Sequence, residues 1–154
     1  MNLPETGDGS TEEHAALLMD SYRRWTGEAL IACDSERSAR EQLFHAGKVV
    51  LSHGTEDNPV LNYGNRLGLE LWEMDWERFT DTPSRLTAEP MERAERDRFF
   101  RAVTESGYVD NYTGIRISST GRRFYIVNAT VWNVIDRDGA YKGQAAAFTE
   151  YRYL

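Results

Sequence analysis

The stretch Phe124 to Ile135, FYIVNATVWNVI, constrains this chain most. It is a run of β-branched and aromatic residues with turn signals at both ends. Ser119-Thr120-Gly121 precedes it. Asp136-Arg137-Asp138-Gly139 follows it, with Gly139 supplying a positive φ for the hairpin. Strict alternation puts Phe124, Ile126, Asn128, Thr130 and Trp132 on one face. Tyr125, Val127, Ala129, Val131 and Asn133 then share the other. Both faces are largely apolar, so this strand must be covered on two sides. The chain therefore has to supply helices for both sides of one sheet.

The neighbouring segments supply the rest of the sheet. Tyr108 to Ser118 and Tyr141 to Tyr153 read as strands, giving three consecutive antiparallel strands joined by tight turns at Gly121 and Gly139. Earlier, VVLSHGTEDNPVLNYGNRLGLEL from Val49 to Leu71 reads as strand, polar turn, return strand and helix. Asn65 stands where the N-cap of that helix belongs. Short helical turns follow around Asp75–Phe79 and Thr82–Leu86. A longer helix starts at Pro90 and ends at Gly107. Its residues Glu92, Glu95 and Asp97 lie among Arg93, Arg96 and Arg98, which reads as a salt-bridged solvated face. Ahead of the first strand, one helix runs from Ser10 or Thr11 to Gly27. A second is expected from an N-cap at Ser35 to Gly47. Met1 to Ser10 is polar and expected to be disordered.

Composition narrows the function classes. The 154 residues suit one core, and 12% aromatic content is enough both to fill it and to line a pocket. A net charge of −7 argues against nucleic-acid binding. Arg116, Arg122 and Arg123 form a local basic cluster that reads first as an exposed strand-and-turn face. The single cysteine, Cys33, allows no internal disulfide and no Cys-based zinc cluster. The acidic N-terminus and the lack of a long apolar run point to the cytoplasm and away from the membrane. No HxxH or HExxH pair, phosphate loop or GxSxG motif occurs, so no metal ligands and no catalytic residues are assigned.

The ordered set VLSHGTEDNPVLNYGNRLGLELWE, TPSRLTAEP, YTGIRISSTGRRFYIVNATVWNVID and GQAAAF resembles a PAS domain, and specifically the PAS-like MEKHLA group. It covers about two thirds of the chain. The resemblance implies an α+β fold: a five-stranded antiparallel sheet with inserted helices, preceded by two N-terminal helices. It divides the chain into a disordered 1–10, a helical extension over 11–47 and a PAS-like domain over 48–154. The extension is similar to that of stand-alone bacterial members. No DNA-binding segment matches the plant homeodomain-zipper factors that carry the same group.

The resemblance also implies a small-molecule pocket on the concave side of the sheet, with a sensory, signalling or protein-interaction role and no catalysis. Candidate pocket residues are Ser84, Arg85, Tyr112, Arg116, Asn128, Thr130, Trp132 and Phe148. Asn65, Gly121 and Gly139 are structural candidates. Flavin photosensors of this class carry a cysteine where Ser84 stands and an amide where Phe148 stands, so flavin adduct chemistry is not expected. Haem sensors place a His on the long helix, and 91–106 contains none. No cofactor is therefore expected. Arg116 is either an inward-facing anion anchor or a surface edge residue. Arg85 has the same two readings, with Glu89 or Asp110 as structural partners. Candidate partners are a small organic ligand, a second copy of the chain or a signalling protein. The rival reading is a ketosteroid-isomerase or dehydratase-like cone, which needs an Asp or His projecting into its cavity, with His53 and Asp110 as the pair to test.

Overall fold

The computed structural model describes residues 1–154. Helix α1 spans Glu12–Thr26. The Thr11 side chain accepts from the His14 amide at its start, acidic Glu12 and Glu13 occupy its first turn, and Gly27 at φ 76° ends it. Helix α2 is short, Ala39–Phe44, and is capped by Ser38 instead of Ser35. The difference has a local cause. Asp34 folds an Asx turn onto the Glu36 amide, and the Gln42 amide group holds both the Asp34 N–H and carbonyl. The Glu12 carboxylate from α1 then accepts from the Ala39 and Arg40 amides, closing the start of α2 from outside.

The end of the stretch expected to be disordered has a fixed place. Asp8–Ser10 forms a 3-10 turn with Gly9 and Ser10 buried. Trp76 Nε1 donates to the Thr6 carbonyl at 2.9 Å, and Arg40 donates to the carbonyls of Ser10 and Pro4. Those donors lie far away in sequence, which is why local composition did not reveal the order.

Strand β1 (Val49–His53) pairs antiparallel with β2 (Leu61–Gly64). Helices α3 (Arg66–Trp72) and α4 (Trp76–Phe79), a 3-10 turn at Ser84–Thr87, and the long α5 (Pro90–Ser106) follow. Strands β3 (Tyr108–Ile117), β4 (Arg123–Ile135), β5 (Tyr141–Phe148) and β6 (Glu150–Tyr153) complete the chain. The sheet order is β2-β1-β5-β4-β3, antiparallel throughout. The last strand, expected to be continuous, breaks at Thr149. Its two pieces lie along the same side of β4: β5 pairs with Thr130–Ile135 and β6 with Phe124–Val127. The sheet is therefore five positions wide with a sixth segment continuing one of them.

Both faces of β4 are covered. On the convex side lies α1, where Trp132 Nε1 donates to Ser21 Oγ at 3.1 Å and the Trp132 ring meets Tyr22 edge-on at 4.9 Å. Trp25 Nε1 donates to the Asn133 carbonyl. On the concave side Trp72 of α3 packs against Phe79, Phe124 and Phe148. The apolar stripe of α1 is thus spent on the sheet.

Asn65 joins these layers. Its side chain is fully buried. Its Oδ1 accepts from the Val50 and Gly68 amides, and its Nδ2 donates to the carbonyls of Leu43 and Lys48. Beyond the far end of α3, Glu73 adopts the left-handed conformation at φ 58°. Its carboxylate accepts from Ser118 and Thr120, docking the β3–β4 turn onto α3. These bonds, with Arg122 nearby, hold the Glu73 carboxyl below the usual carboxylate range.

Asn65→Ala strips a helix cap, removes the side-chain partner of the Val50 N–H and the Lys48 carbonyl, and leaves the Leu43 carbonyl with only the Ala46 amide. It is expected to lower the unfolding free energy by about 3 kcal/mol in urea titrations. His14 gives a pH signature. Its Nε2 lies 3.1 Å from Ser52 Oγ, and burial holds the imidazole at about 4 against 6.5 normally, with Asp8 opposing. The unfolded chain binds a proton below 6.5 that the folded chain refuses until about 4, so stability should fall as pH drops across that window. His14→Gln should flatten this slope in denaturation midpoints followed from neutral pH to about 4.

Candidate functional site

Between the concave face of the sheet and α3, the 3-10 turn and α5 lies a cavity of about 40 Å³. That is room for a few water-sized groups and well below the roughly 300 Å³ of a typical drug-sized site. Leu51, Leu61, Trp72, Phe100, Ile126 and Val131 supply most of its apolar wall. Ser84, Arg96, Tyr112, Arg116 and Gln144 supply the polar part, with His53 at one side.

Each polar side chain is placed by a local device. The segment before the 3-10 turn runs against the start of β2: the Leu61 amide donates to the Thr82 carbonyl and the Ser84 amide to the Pro59 carbonyl at 2.7 Å. Ser84 Oγ then accepts from Arg96 Nη2. The Arg96 guanidinium also reaches Asp97 at 3.2 Å and lies 4.5 Å from the Phe100 ring centroid. From β3, Arg116 Nη2 donates to the Tyr112 hydroxyl at 3.1 Å and Nη1 to its neighbour's carbonyl, Ile115. Gly114 leaves room for that fold-back, since a Cβ there would stand 2.4 Å from the Tyr112 hydroxyl. Tyr112 stacks on Phe99 of α5 at 3.9 Å. Farther along, Gln144 Nε2 donates to Phe100 O, Thr104 Oγ1 and Asn133 Oδ1, while Asn133 Nδ2 donates to the carbonyls of Val103 and Thr104. This pair clamps the second half of α5 to the sheet.

The electrostatics are dominated by two guanidiniums. Arg96 and Arg116 are each 5% exposed. Burial, then the charge of Arg116, push the Arg96 guanidinium down to about 10. His53 is buried too. Its Nδ1 donates to the Gly54 carbonyl at 3.0 Å, and burial, with the charge of Arg96, holds it below its ordinary value. Asp110 is exposed and outside the cavity, so it does not pair with His53.

Of the candidate pocket residues, Ser84, Tyr112 and Arg116 line this cavity and the others do not. Arg85 faces outward and donates to Asn58 Oδ1, not to Glu89 or Asp110. Phe148 packs on Trp72 beside the cavity without lining it. Asn128, Thr130 and Trp132 are displaced by a bulge. Asn128 has φ 53°, is exposed, and forms an extra residue in β4 opposite Tyr112–Gly114. Beyond it the alternation reverses, so Ala129 and Val131 join Ile126 on the cavity face while Trp132 turns to α1. A matching irregularity at Asn111, φ 60°, shifts β3 so that Tyr112, Gly114 and Arg116 stay in step with β4. The basic cluster disperses: Arg116 is buried, Arg122 lies over Tyr153, and Arg123 pairs with Glu89.

The sequence candidates do not include the polar lining residues Ser52, Thr87, Arg96 and Gln144, nor Asn133, which holds Gln144 from behind. The charged run around Arg96 predicts a solvated face, and the structure buries Arg96 instead. The signal against that reading is its spacing, one turn before Phe100 and two before Val103, in line with the apolar stripe of α5. A flavin does not fit the residues present. The cavity is too small for its ring system, the hydroxyl of Ser84 is engaged by Arg96, and Cys33 is exposed and elsewhere.

The sheet order, the helices over its concave face and the cavity define a PAS-like domain. The fold is similar to the PAS domain of a protein from Colwellia psychrerythraea, with TM-score 0.62 and 10% identity over 74% of this chain and 92% of that one. It is also similar to a light-oxygen-voltage domain from work on a flavin analogue, with TM-score 0.58 and 12% identity over 75% and 83%. Within that class, the chain belongs to the MEKHLA domain family, whose model matches residues 12–153. The match takes in α1 and α2 together with the sheet. Curated relatives include the homeobox-leucine zipper protein ATHB-9 of Arabidopsis thaliana, 29% identical over 142 residues, and HOX29 of Oryza sativa subsp. japonica, 26% identical over 136 residues. These stretches cover 88% and 84% of this chain but only 17% and 16% of the plant proteins.

The bulge assignment has a direct test. A left-handed residue tolerates Gly and penalises Cβ-bearing residues other than Asn or Asp. Asn128→Gly is expected to keep the melting temperature, whereas Asn128→Ala should cost about 1 kcal/mol in denaturant unfolding.

Proposed function

We propose that this chain is a sensory PAS-like module without catalytic activity, which binds a small molecule in the concave cavity and passes its occupancy to a protein partner or a second copy of itself. The observation that carries this reading is the cavity itself. It lies where sheet and helices meet, and buried polar groups are aimed at it from the 3-10 turn, α5 and β3. Ser84, Tyr112 and Arg116 from the sequence reading, with Arg96 and Gln144, are its proposed contact residues. Asn65, Gly121 and Gly139 are proposed as architectural.

Several features support the separate parts of this reading. No group of three or more metal-ligating side chains comes together, and His53 has no carboxylate partner. The net charge of −7 disfavours phosphate backbones. No helix is long and apolar enough to cross a membrane. A single exposed cysteine suits a reducing compartment, so the cytoplasm is the proposed setting. The exposed tyrosines Tyr125, Tyr151 and Tyr153 offer surface for a partner.

Native mass spectrometry of freshly purified protein tests the reading. A small bound mass is expected, and Ala129→Val, which adds methyl groups to the cavity wall, should reduce the bound fraction. Wild-type protein that carries no bound mass and shows no thermal shift with any member of a small-metabolite panel would remove the ligand-binding part.

A further inference from the structure

The cavity is unbalanced in its hydrogen-bonding chemistry. Arg96 and Arg116 bring two buried positive charges to it. The one carboxylate within reach of either guanidinium is Asp97, whose side chain is 56% exposed and therefore well solvated. All other partners are neutral: the Ser84 and Tyr112 hydroxyls and the Ile115 carbonyl. No Asp or Glu lines the cavity.

Two buried groups on lining residues have no partner at all: Arg96 Nε and Trp72 Nε1. Both are donor-only groups, so what each lacks is an acceptor. Two buried guanidiniums on one cavity, which also carries an orphan indole N–H among its lining residues, are costly unless an anionic acceptor offsets them.

The remaining wall decides which anion. Leu61, Ile126 and Val131 present hydrocarbon, against which the several oxygens of a phosphate would be stranded. A carboxylate has two oxygens, which match the guanidinium fork, and its other end is free to be apolar. The volume of about 40 Å³ limits that end to a few carbons. An outer depression of about 350 Å³ beside α5 shares His53, Arg96, Phe100 and Gln144 with the cavity. Those four side chains stand between the two, and Arg96 lines both. Arg85 and Arg101 border the outer depression, along with Asp57 and Asp97.

We propose that the cavity binds a short-chain organic carboxylate, its carboxylate held by Arg96 and Arg116 and its hydrocarbon end against Leu61, Ile126 and Val131. This rests on the ligand-binding reading above and names its substrate class.

The full chain, exhaustively dialysed, is titrated calorimetrically with sodium butyrate at constant ionic strength. Butyramide and sodium phosphate serve as the neutral and inorganic comparisons. Butyrate is expected to bind at least tenfold more tightly than either. Arg116→Lys keeps the charge but loses the fork, and Arg96→Met removes one charge; each should weaken butyrate by tenfold or more. Arg85→Met, in the outer depression, should stay within threefold of wild type. Ligand-free Arg96→Met should melt within a few degrees of wild type, since it replaces an under-partnered buried cation with an apolar side chain. A large drop in that melting point marks Arg96 as a structural residue and counts against the proposal.

Butyramide binding as tightly as butyrate, or Arg116→Lys binding butyrate like wild type, overturns the carboxylate assignment and leaves the cavity reading standing. Phosphate binding with butyrate inert also overturns it, in favour of an inorganic-anion site. A neutral mass retained in native spectra does the same. Absence of every ligand, titrated or copurified, removes both readings.

Discussion

The side chain of Asn65 has all four of its hydrogen-bonding positions in use inside the protein. Through them one amide group ties the end of α2, the start of β1 and the first turn of α3. Its backbone N–H adds a bond to the Val50 carbonyl, so β1 and the strand–helix junction are held at one point. The direction of α3 follows from that junction. Trp72, the last residue of the helix, is thereby set against Phe124 and Phe148. Glu73 is set to receive the β3–β4 turn through Ser118 and Thr120. The concave core and the outer hairpin thus depend on a polar contact with no access to water, where a missing partner costs more than it would at the surface.

A second constraint is the pair of left-handed asparagines. Asn111 and Asn128 each insert a residue into one of two facing strands, and the two insertions offset one another in register. Around them the strands bend, with Tyr112 turned inward opposite Ala129 and Arg116 opposite Phe124. Without the bulge in β4, Asn128 and Thr130 would face the helices and Trp132 would leave α1. The sheet therefore owes its apolar floor and its convex Trp to one residue out of step.

Much of this architecture was readable in the residues, and the limits have physical causes. The strand triplet, the cap at Asn65 and the helix opened by Pro90 rest on local chemistry, so they appear in a single sequence. Face assignment does not, because one extra residue inverts all that follows and Asn is at home in a regular turn, on a surface or in a bulge alike. The break at Thr149 has no Gly or Pro to announce it; it lies opposite the Asn128 kink and is imposed from the neighbouring strand. Arg96 was hidden by its company. Five charged residues around it follow helix-surface spacing, and its alignment with Phe100 and Val103 is visible only when the apolar stripe is extended back by a turn. Arg116 admits two readings in the sequence because burial of a guanidinium depends on what covers its strand; here it folds back on Tyr112 of the same strand, which Phe99 of α5 covers.

Helix α5 is long for the little that holds it. Of its seventeen residues only Arg96 and Val103 are buried, the remainder of its attachment being the Tyr112 stack and the Asn133–Gln144 clamp near its end. A segment with so few burying contacts opens locally at far lower free energy than the sheet beneath it. In its first half the one buried side chain is Arg96, which also lines the cavity; the Arg93 bond to the Ala88 carbonyl holds the same turns from outside. A molecule that drew the Arg96 guanidinium into the cavity would therefore shift the opening equilibrium of that half-helix, and amide hydrogens along 91–97 form a natural reporter strip for it.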